Sequence, residues 1–339
     1  MEIKVSFIVV ALNAASTIQT LFDCLRHQTY PHEWIEVILI DGLSSDATKR
    51  EMLRFQAEAN DFWQIKVLDN PKKTLPCGWN IALDAAQGDA LLRVDAHVSI
   101  PNNFIELNVR DLLQDEKICG GKVKSVPANN SQWSFALNEA ENSMFGGGFA
   151  AFRRANSAGY VSTAAFAIYR KEVFETVGRY NEALARTEDN EMHYRMRKAG
   201  YRFYYDPEIV SYRKTRADLK GLAKQKYLNG YWIGRTLYIE PKCFSLYHFI
   251  PFVFVISIFI SMVFFMFGIE FPAAVLWGAY AVVNLTMAIA SVVSSKERNW
   301  LFIFLPGVFF ILHIWYGVGT VIGIISLKNI NRNTSVTVS

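Results

Sequence analysis

With 339 residues, 35 Lys and Arg against 31 Asp and Glu, and a formal charge of +4, the chain is long enough for two domains and too weakly basic overall for a nucleic-acid partner. The four cysteines (Cys24, Cys77, Cys119, Cys243) show no paired spacing, which gives no zinc signature and suits a reducing compartment. Charge is unevenly spread: beyond Ser245 only Glu270, Lys296, Glu297, Arg298, Lys328 and Arg332 carry it.

In chain order, Ile3–Ala11 is rich in β-branched residues and predicts a buried parallel strand. Met1–Leu12 carries Glu2 and Lys4 and alternates like a strand, so no signal peptide is expected and the first domain is expected to stay in the cytoplasm. Asn13 and Ser16 are turn and cap residues ahead of an amphipathic helix over Thr17–Gln28. Ile35–Ile40 predicts the second strand, followed by Asp41 and a Gly-Leu-Ser-Ser-Asp turn in which Asp46 is placed to cap a helix over Ala47–Ala59. Ile65–Leu68 is the third strand, Leu75–Ala86 a helix entered through Pro76, and Ala90–Val94 the fourth strand. This alternation implies a parallel sheet with right-handed crossovers. Neither G-x-G-x-x-G after the first strand nor G-x-x-x-x-G-K-[ST] occurs, which argues against dinucleotide and P-loop chemistry.

The stretch ALLRVDAHVSIP (Ala90–Pro101) sets Asp95 and His97 where the fourth strand ends, the edge at which open α/β sheets bind ligands. Alternate residues of an extended segment point the same way, so an Asp oxygen and an imidazole can face one divalent cation. Alone, the pair fits equally a turn-capping Asp beside an ordinary loop histidine.

Further on, Gly120–Val126 predicts a strand and Ser131–Met144 a helix. Phe145–Gly159, with Gly146, Gly147, Gly148, Arg153 and Arg154, reads as a surface loop or a lid over a phosphate site. Tyr160–Tyr169 predicts one strand and Lys171–Val177 a short helix. Thr187, Glu188 and Asp189 open a helix ending at Gly200, and the acids are either dipole partners or a general base at a site rim.

Between Val210 and Phe244, eight basic residues face two acids, with Tyr227, Tyr231, Trp232 and Tyr238 interleaved. A basic amphipathic segment directly before a membrane span is expected to lie on an anionic leaflet. Three uncharged runs follow, Phe249–Gly268, Phe271–Ser295 and Trp300–Leu327, each meeting the roughly 20 residues that cross about 30 Å of hydrocarbon. Tyr247, Trp277, Trp300 and Trp315 are candidate interface anchors. A cytoplasmic first domain makes the Lys296–Arg298 loop cytoplasmic, as the positive-inside rule asks, whereas three spans send Lys328 and Arg332 to the outside. Either the tail bias is too weak to matter or one run is re-entrant. Three spans are the working expectation.

Taken in order, these residues resemble a family 2 glycosyltransferase of the GT-A fold over roughly Lys4–Lys242. Asp41, Ser44, Asp46 and Thr48 follow the family's D-x-x-S-x-D-x-T segment, Gly78 and Asn80 its G-x-x-N-like residues, Asp95-Ala96-His97 its D-x-D, and Thr187-Glu188-Asp189 its TED. The wording R-V-D-A-H, the E-D-x-E-x-x-x-R helix and the apolar C-terminal region are similar to membrane-anchored, succinoglycan-type exopolysaccharide glucosyltransferases.

The resemblance implies an α/β fold: a GT-A nucleotide-sugar-binding domain with a Rossmann-like mixed sheet over 1–212, juxtamembrane helices over 213–247, three transmembrane helices over 248–328 and a polar tail over 329–339. It implies donor binding by Ala11, Asn13, Asp41, Ser44, Asp46, Gly78, Asn80, Arg93 and Asp95, with Lys73 a further phosphate contact. Asp95 and His97 would hold Mg²⁺ or Mn²⁺, and Asp189, beside Glu188, would be the catalytic base. The expected partners are a nucleotide sugar of the UDP class, a lipid-linked saccharide acceptor and the anionic leaflet of the cell membrane. Two departures stand out: His97 replaces the last acid of D-x-D, and no Q-x-x-R-W motif follows the TED segment, which argues against a processive polymerase. A polyprenyl-phosphate sugar synthase and a non-catalytic binding component of a translocation complex are the competing readings.

Overall fold

The computed structural model describes residues 3–147, 155–295 and 299–326. Arg153 and Arg154 of the expected lid, the Lys296–Arg298 loop, and Lys328 and Arg332 of the tail lie outside the described residues. Two compact units emerge, one from Met1–Lys124 and Ala150–Arg213, the other from Ser125–Phe149 and Lys214–Ser339. The second unit therefore takes in the 125–149 segment, which a linear division of the sequence leaves with the first domain.

In the first unit, β1 (Val5–Ala11), β2 (Ile35–Asp41), β3 (Gln64–Asp69) and β4 (Ala90–Arg93) are parallel, in the order β3-β2-β1-β4. The crossovers are α1 (Ala15–Arg26), α2 (Thr48–Glu58) and α3 (Leu75–Ala85). Short β5 (Val98–Ser99) and α4 (Phe104–Leu113) lead to β6 (Ile118–Val126), followed later by β7 (Gly159–Val161), β8 (Ile168–Arg170), α6 (Lys171–Val177), α7 (Glu188–Lys198) and β9 (Phe203–Lys214). Strand β8 pairs antiparallel with both β4 and β6, which makes the sheet mixed.

Period-two alternation along the strands divides the core into two layers. Val5, Phe7 and Val9 of β1 pack with Phe22 of α1, Phe55 of α2 and Phe104 of α4. Ile8 faces the other way, onto Trp79 of α3, Val173 of α6 and Met192 and Met196 of α7. Close approach fixes one glycine: a Cβ on Gly121 in β6 would lie 1.9 Å from the Ile209 carbonyl of β9.

Several sequence expectations shift. The single strand expected over Tyr160–Tyr169 is two: β7 pairs with β9 and β8 with β4 and β6, separated by a bend in which Phe166 adopts φ 50°. Helix α1 starts at Ala15, so Ser16 lies within it rather than capping it, and α2 starts at Thr48. The basic region of 210–244 is not one amphipathic segment, because its first residues complete β9.

The second unit contains α5 (Gln132–Asn142), capped where Ser131 Oγ accepts from Ser134 N–H at 3.1 Å, and α8 (Leu219–Thr236). It also contains three apolar helices, α9 (Ile250–Met266), α10 (Phe271–Ser294) and α11 (Leu305–Ile325). Each, with its flanking turn, is long and apolar enough to cross a membrane. His313 and Asn284, polar residues within these runs, are tied locally: His313 Nε2 lies 2.6 Å from Phe145 O, and Asn284 Nδ2 donates to Pro306 O at 3.0 Å.

Candidate active site

Register builds the site edge. Ala11 stands opposite Asp41, and Asp41 opposite Asp69, so the carboxyl ends of β1, β2 and β3 are level. The loops after β1 and β2 are clasped together. Asn13 N–H donates to Ser44 Oγ and Ser45 N–H to Asn13 Oδ1, both at 2.9 Å, while Ala14 N–H donates to Thr48 Oγ1 at 2.7 Å. Asp46 closes the clasp, accepting from Thr48 N–H at 2.9 Å, from Thr48 Oγ1, and from Ala15 N–H at 3.1 Å. The Thr48 hydroxyl first, and then these backbone donors, hold the Asp46 carboxyl below its ordinary range. Asn13 and Leu43 both take left-handed backbone, φ 51° and 56°, to make the turns. Asp41 itself is buried and accepts from Ser44 N–H at 3.1 Å.

Gly78 and Asn80 shape the wall of the site. A Cβ on Gly78 would fall 2.5 Å from Val10 Cγ1, so the glycine lets α3 sit against β1. Asn80 is buried: its Oδ1 accepts from Tyr180 N–H at 2.9 Å, and its Nδ2 donates to Tyr180 O at 3.0 Å and to Glu182 Oε1 at 3.1 Å. Lys73 is exposed in left-handed backbone on the loop before α3.

A second group of side chains is buried. Arg93, ending β4, has its guanidinium 4.4 Å from the Trp79 ring centre and 5.7 Å from that of Tyr180, and donates to Glu188 Oε1 at 3.1 Å. The charges of Asp95 and Asp189 also act on it and help to keep it protonated against burial. Glu188 and Asp189 are placed by a left-handed residue, since Thr187, the N-cap of α7, has φ 65°, uncommon for a β-branched side chain. Burial pushes the Glu188 carboxyl up to about 8; Asp189 adds to this and Arg93 opposes it. Asp189 is partly exposed, with its Oδ1 accepting from Asn190 N–H at 2.8 Å.

One turn further along α7, His193 is buried, its Nδ1 2.7 Å from Thr163 Oγ1 and its Nε2 2.9 Å from Tyr169 OH. Burial lowers it to about 4, leaving a neutral imidazole that fastens α7 to β8.

The structure thus brings Arg93 and Asp95 together with Glu188 and Asp189, and adds Trp79, Tyr169, Tyr180 and His193, which sequence reasoning did not single out. The i, i+4 spacing of Asp189 and His193 was the available signal for the last. Nothing local marks Tyr180, which reaches the site through tertiary contacts, the Asn80 tie and the Arg93 guanidinium.

Asp95 is partly buried, and its Oδ1 is shielded from water without a hydrogen-bond partner among the described residues. His97 lies two residues on and is exposed. A carboxylate oxygen left without a donor suits a hard divalent cation. Among the described residues no three His, Cys, Asp or Glu side chains group to hold one, so a cation here would take its other ligands from substrate and water. A cleft of about 540 Å³, lined by Tyr30, Trp34, Glu106 and Arg110, holds none of these groups and adjoins the amino end of β2, not the carboxyl edge where such sheets bind ligands.

A mixed, Rossmann-like sheet with these acids along its carboxyl edge, followed by apolar helices, has the architecture of a GT-A nucleotide-sugar glycosyltransferase. The chain belongs to glycosyl transferase family 2, whose family model matches residues 6–178. It is 32% identical over 234 residues to the succinoglycan biosynthesis protein ExoA of Rhizobium meliloti, covering 68% of each chain. It is 24% identical to a dolichyl N-acetyl-alpha-D-glucosaminyl phosphate 3-beta-D-2,3-diacetamido-2,3-dideoxy-beta-D-glucuronosyltransferase of Methanococcus voltae, over 95% of this chain and 97% of that one. Among solved structures, the mannosyltransferase PcManGT of Pyrobaculum calidifontis, in complex with GDP-Man and Mn²⁺, matches 95% of this chain and 88% of its own at TM-score 0.58 and 17% identity. The S. aureus TarS structure matches 69% of this chain, at TM-score 0.50 and 18% identity, but this spans only 43% of TarS. Both structural likenesses are of fold.

Proposed function

We propose that the chain is an inverting hexosyltransferase that uses a nucleotide sugar of the UDP class and a membrane-held, polyprenyl-diphosphate-linked saccharide acceptor in exopolysaccharide or other cell-surface glycan synthesis. The reading rests on one observation: Arg93 and Asp95 at the end of β4 share an electrostatic neighbourhood with Glu188 and Asp189 at the start of α7. The ExoA likeness supports the pathway class, and the dolichyl phosphate named for the Methanococcus protein supports a lipid-borne acceptor.

In this reading the clasp of Asn13, Ser44 and Asp46, with Asp41 beneath it, forms the floor for the nucleoside. Asp95, with His97 beside it, would hold Mg²⁺ or Mn²⁺, which when bound neutralises charge on the departing diphosphate. Arg93 adds a fixed positive charge on the same side, and Glu188 fixes its orientation. Asp189, the partly exposed acid of the pair, accepts the proton of the acceptor hydroxyl as that oxygen attacks the anomeric carbon on the face opposite the nucleotide. Attack from that face inverts the centre. A carboxylate suffices because leaving-group departure runs ahead of proton transfer.

Replacing Asp189 with Asn in the full-length protein tests this. Transfer to a lipid-linked acceptor should fall about 10³-fold while nucleotide-sugar binding is retained, at the scale general-base removal reaches. Wild-type turnover in the variant would sink the base assignment and favour a phosphate acceptor, which needs no base.

A further inference from the structure

The three apolar helices are not alike. The candidate spans Leu246–Met266 and Phe271–Ser294 are 6% and 11% buried, as suits helices facing lipid, whereas Trp300–Ile325 is 39% buried. What covers α11 is α8. The two run parallel, backbone against backbone: a Cβ on Gly319 would lie 2.2 Å from Tyr227 O, on Gly323 2.1 Å from Tyr231 O, on Gly230 2.0 Å from Tyr316 O, and on Gly234 2.4 Å from Thr320 O. Upstream, Leu222 of α8 joins Leu305, Val308, Phe309 and Leu312 of α11 in one apolar cluster, together with Ala136, Leu137 and Ala140 of α5. The whole length of α11 is therefore flanked by α8, and its first half by α5 as well.

Neither flanking helix is built for hydrocarbon. Helix α8 carries Lys220, Lys224, Lys226 and Arg235, and α5 carries Glu139 and Glu141. The longest uncharged run in α8, Tyr227–Gly234, covers about 12 Å at 1.5 Å per residue. A bilayer core is about 30 Å thick. Were α11 upright in the membrane, its partner would draw lysine or arginine into the core. Three of the four charges of α8 share a side: at 100° per residue, Lys220, Lys224 and Arg235 lie within about 60° of arc, whereas Lys226 lies on the opposite side and is buried. Charges on an outward face beside an apolar inward one suit a helix lying flat on a leaflet, and the run of about 12 Å between Lys226 and Arg235 is too short to cross one.

Of the other two helices, α10 meets the first half of α11 through Tyr280, Asn284 and Ala288, and α9 meets its second half. Gly317 of α11 packs on Pro251 and Val255, near the start of α9, where Phe254 also meets His313. The turn between α9 and α10 stands clear, with Met266, Phe267 and Phe271 at 82%, 78% and 76% exposure.

We infer that α11 does not cross the bilayer: α8 and α11 lie together in the plane of the leaflet on the side from which the chain enters the membrane, with Lys220, Lys224 and Arg235 of α8 on anionic headgroups, and only the α9–α10 hairpin spans. Two crossings return the chain to its starting side. The Lys328 and Arg332 preference for the inside, at odds with three spans, then agrees with the fold.

The test uses the full chain in sealed vesicles of both orientations. One probe is an epitope tag after Ser339. The other is a cysteine at Lys242 or, as a second position, at Tyr238, both exposed in the link between α8 and α9, placed in a Cys24→Ser background and read with a membrane-impermeant maleimide. An N-terminal tag marks the reference side. The inference requires the C-terminal tag and the link cysteine on the N-terminal side. A C-terminal tag on the opposite side means that α11 crosses, and a link cysteine on the opposite side means that α8 crosses; either overturns it.

Discussion

Two polar regions share the carboxyl edge of the sheet, and their carboxyls respond to protons in opposite ways. In the clasp, Asp46 faces solvent and its carboxyl is held low by the Thr48 hydroxyl and backbone donors. Glu182, on the wall nearby, is likewise held down to about 2, by Lys72 first and Asn80 second. In the buried group, Glu188 is pushed up to about 8 and His193 down to about 4, both by burial. The clasp is a set of satisfied hydrogen bonds that fixes two loops. The buried group keeps Arg93 among more acid than it can neutralise cheaply, and strongly perturbed carboxyls of this kind cluster at functional sites.

The largest expected effect comes from removing the cation that holds the second region together. Arg93→Met leaves Glu188, Asp95 and Asp189 without their shared partner, and deleting one member of a buried pair costs about 3–5 kcal/mol. Denaturant unfolding should show that loss, with transfer activity falling at least as far as in Asp189→Asn. A variant as stable and as active as wild type would mean that the two regions do not differ in kind.

Glu188→Gln separates charge from shape. A carboxyl whose folded pKa lies above its unfolded value of about 4.3 binds more protons when folded, so its penalty is absent below that value and grows as pH rises to about 8. The Glu188 contribution should therefore decline between pH 5 and 8 by on the order of 2 kcal/mol, against the opposite trend of His193, whose lowered pKa favours the folded state as pH rises. The Gln variant should lose most of that slope in urea titrations at each pH. An unchanged slope would relocate the proton uptake to another group, such as Asp111, which burial raises to about 6.

The first region was legible in the sequence because its residues are contiguous: Asp41 to Thr48 fall in one turn, and the parallel strands on either side announce themselves by composition. The second was half legible. Asp95 and Asp189 each sit at the end of a predicted element, but Trp79, Tyr180 and His193 join them only through tertiary packing, for which one sequence has no local signal. The split of 160–169 into β7 and β8 escaped for a related reason, since both halves look β-like and only their different partners divide them. In the second unit, hydropathy marked α11 as a third apolar run, but hydropathy sees one helix at a time. The glycine seam that binds α11 to a charged neighbour becomes meaningful only when both faces are known.

The smallest effect should come from the clasp. Asp46→Asn keeps one oxygen for Thr48 N–H but cannot accept from Ala15 N–H with its second atom, so one tie between the loops is lost while the fold stands. If the clasp is the nucleoside floor, the donor KM should rise a few-fold with kcat nearly unchanged, the signature of lost uniform binding. Its proton dependence should run opposite to that of Glu188. An Asp held below its ordinary pKa contributes above about pH 4 and loses that contribution only as the pH falls through the lowered value. Wild type and Asp46→Asn should therefore differ least in thermal stability at pH 3, and by a constant amount from pH 5 to 8. If the variant instead lost kcat, Asp46 would act in the transition state, and the clasp would belong functionally with the buried group.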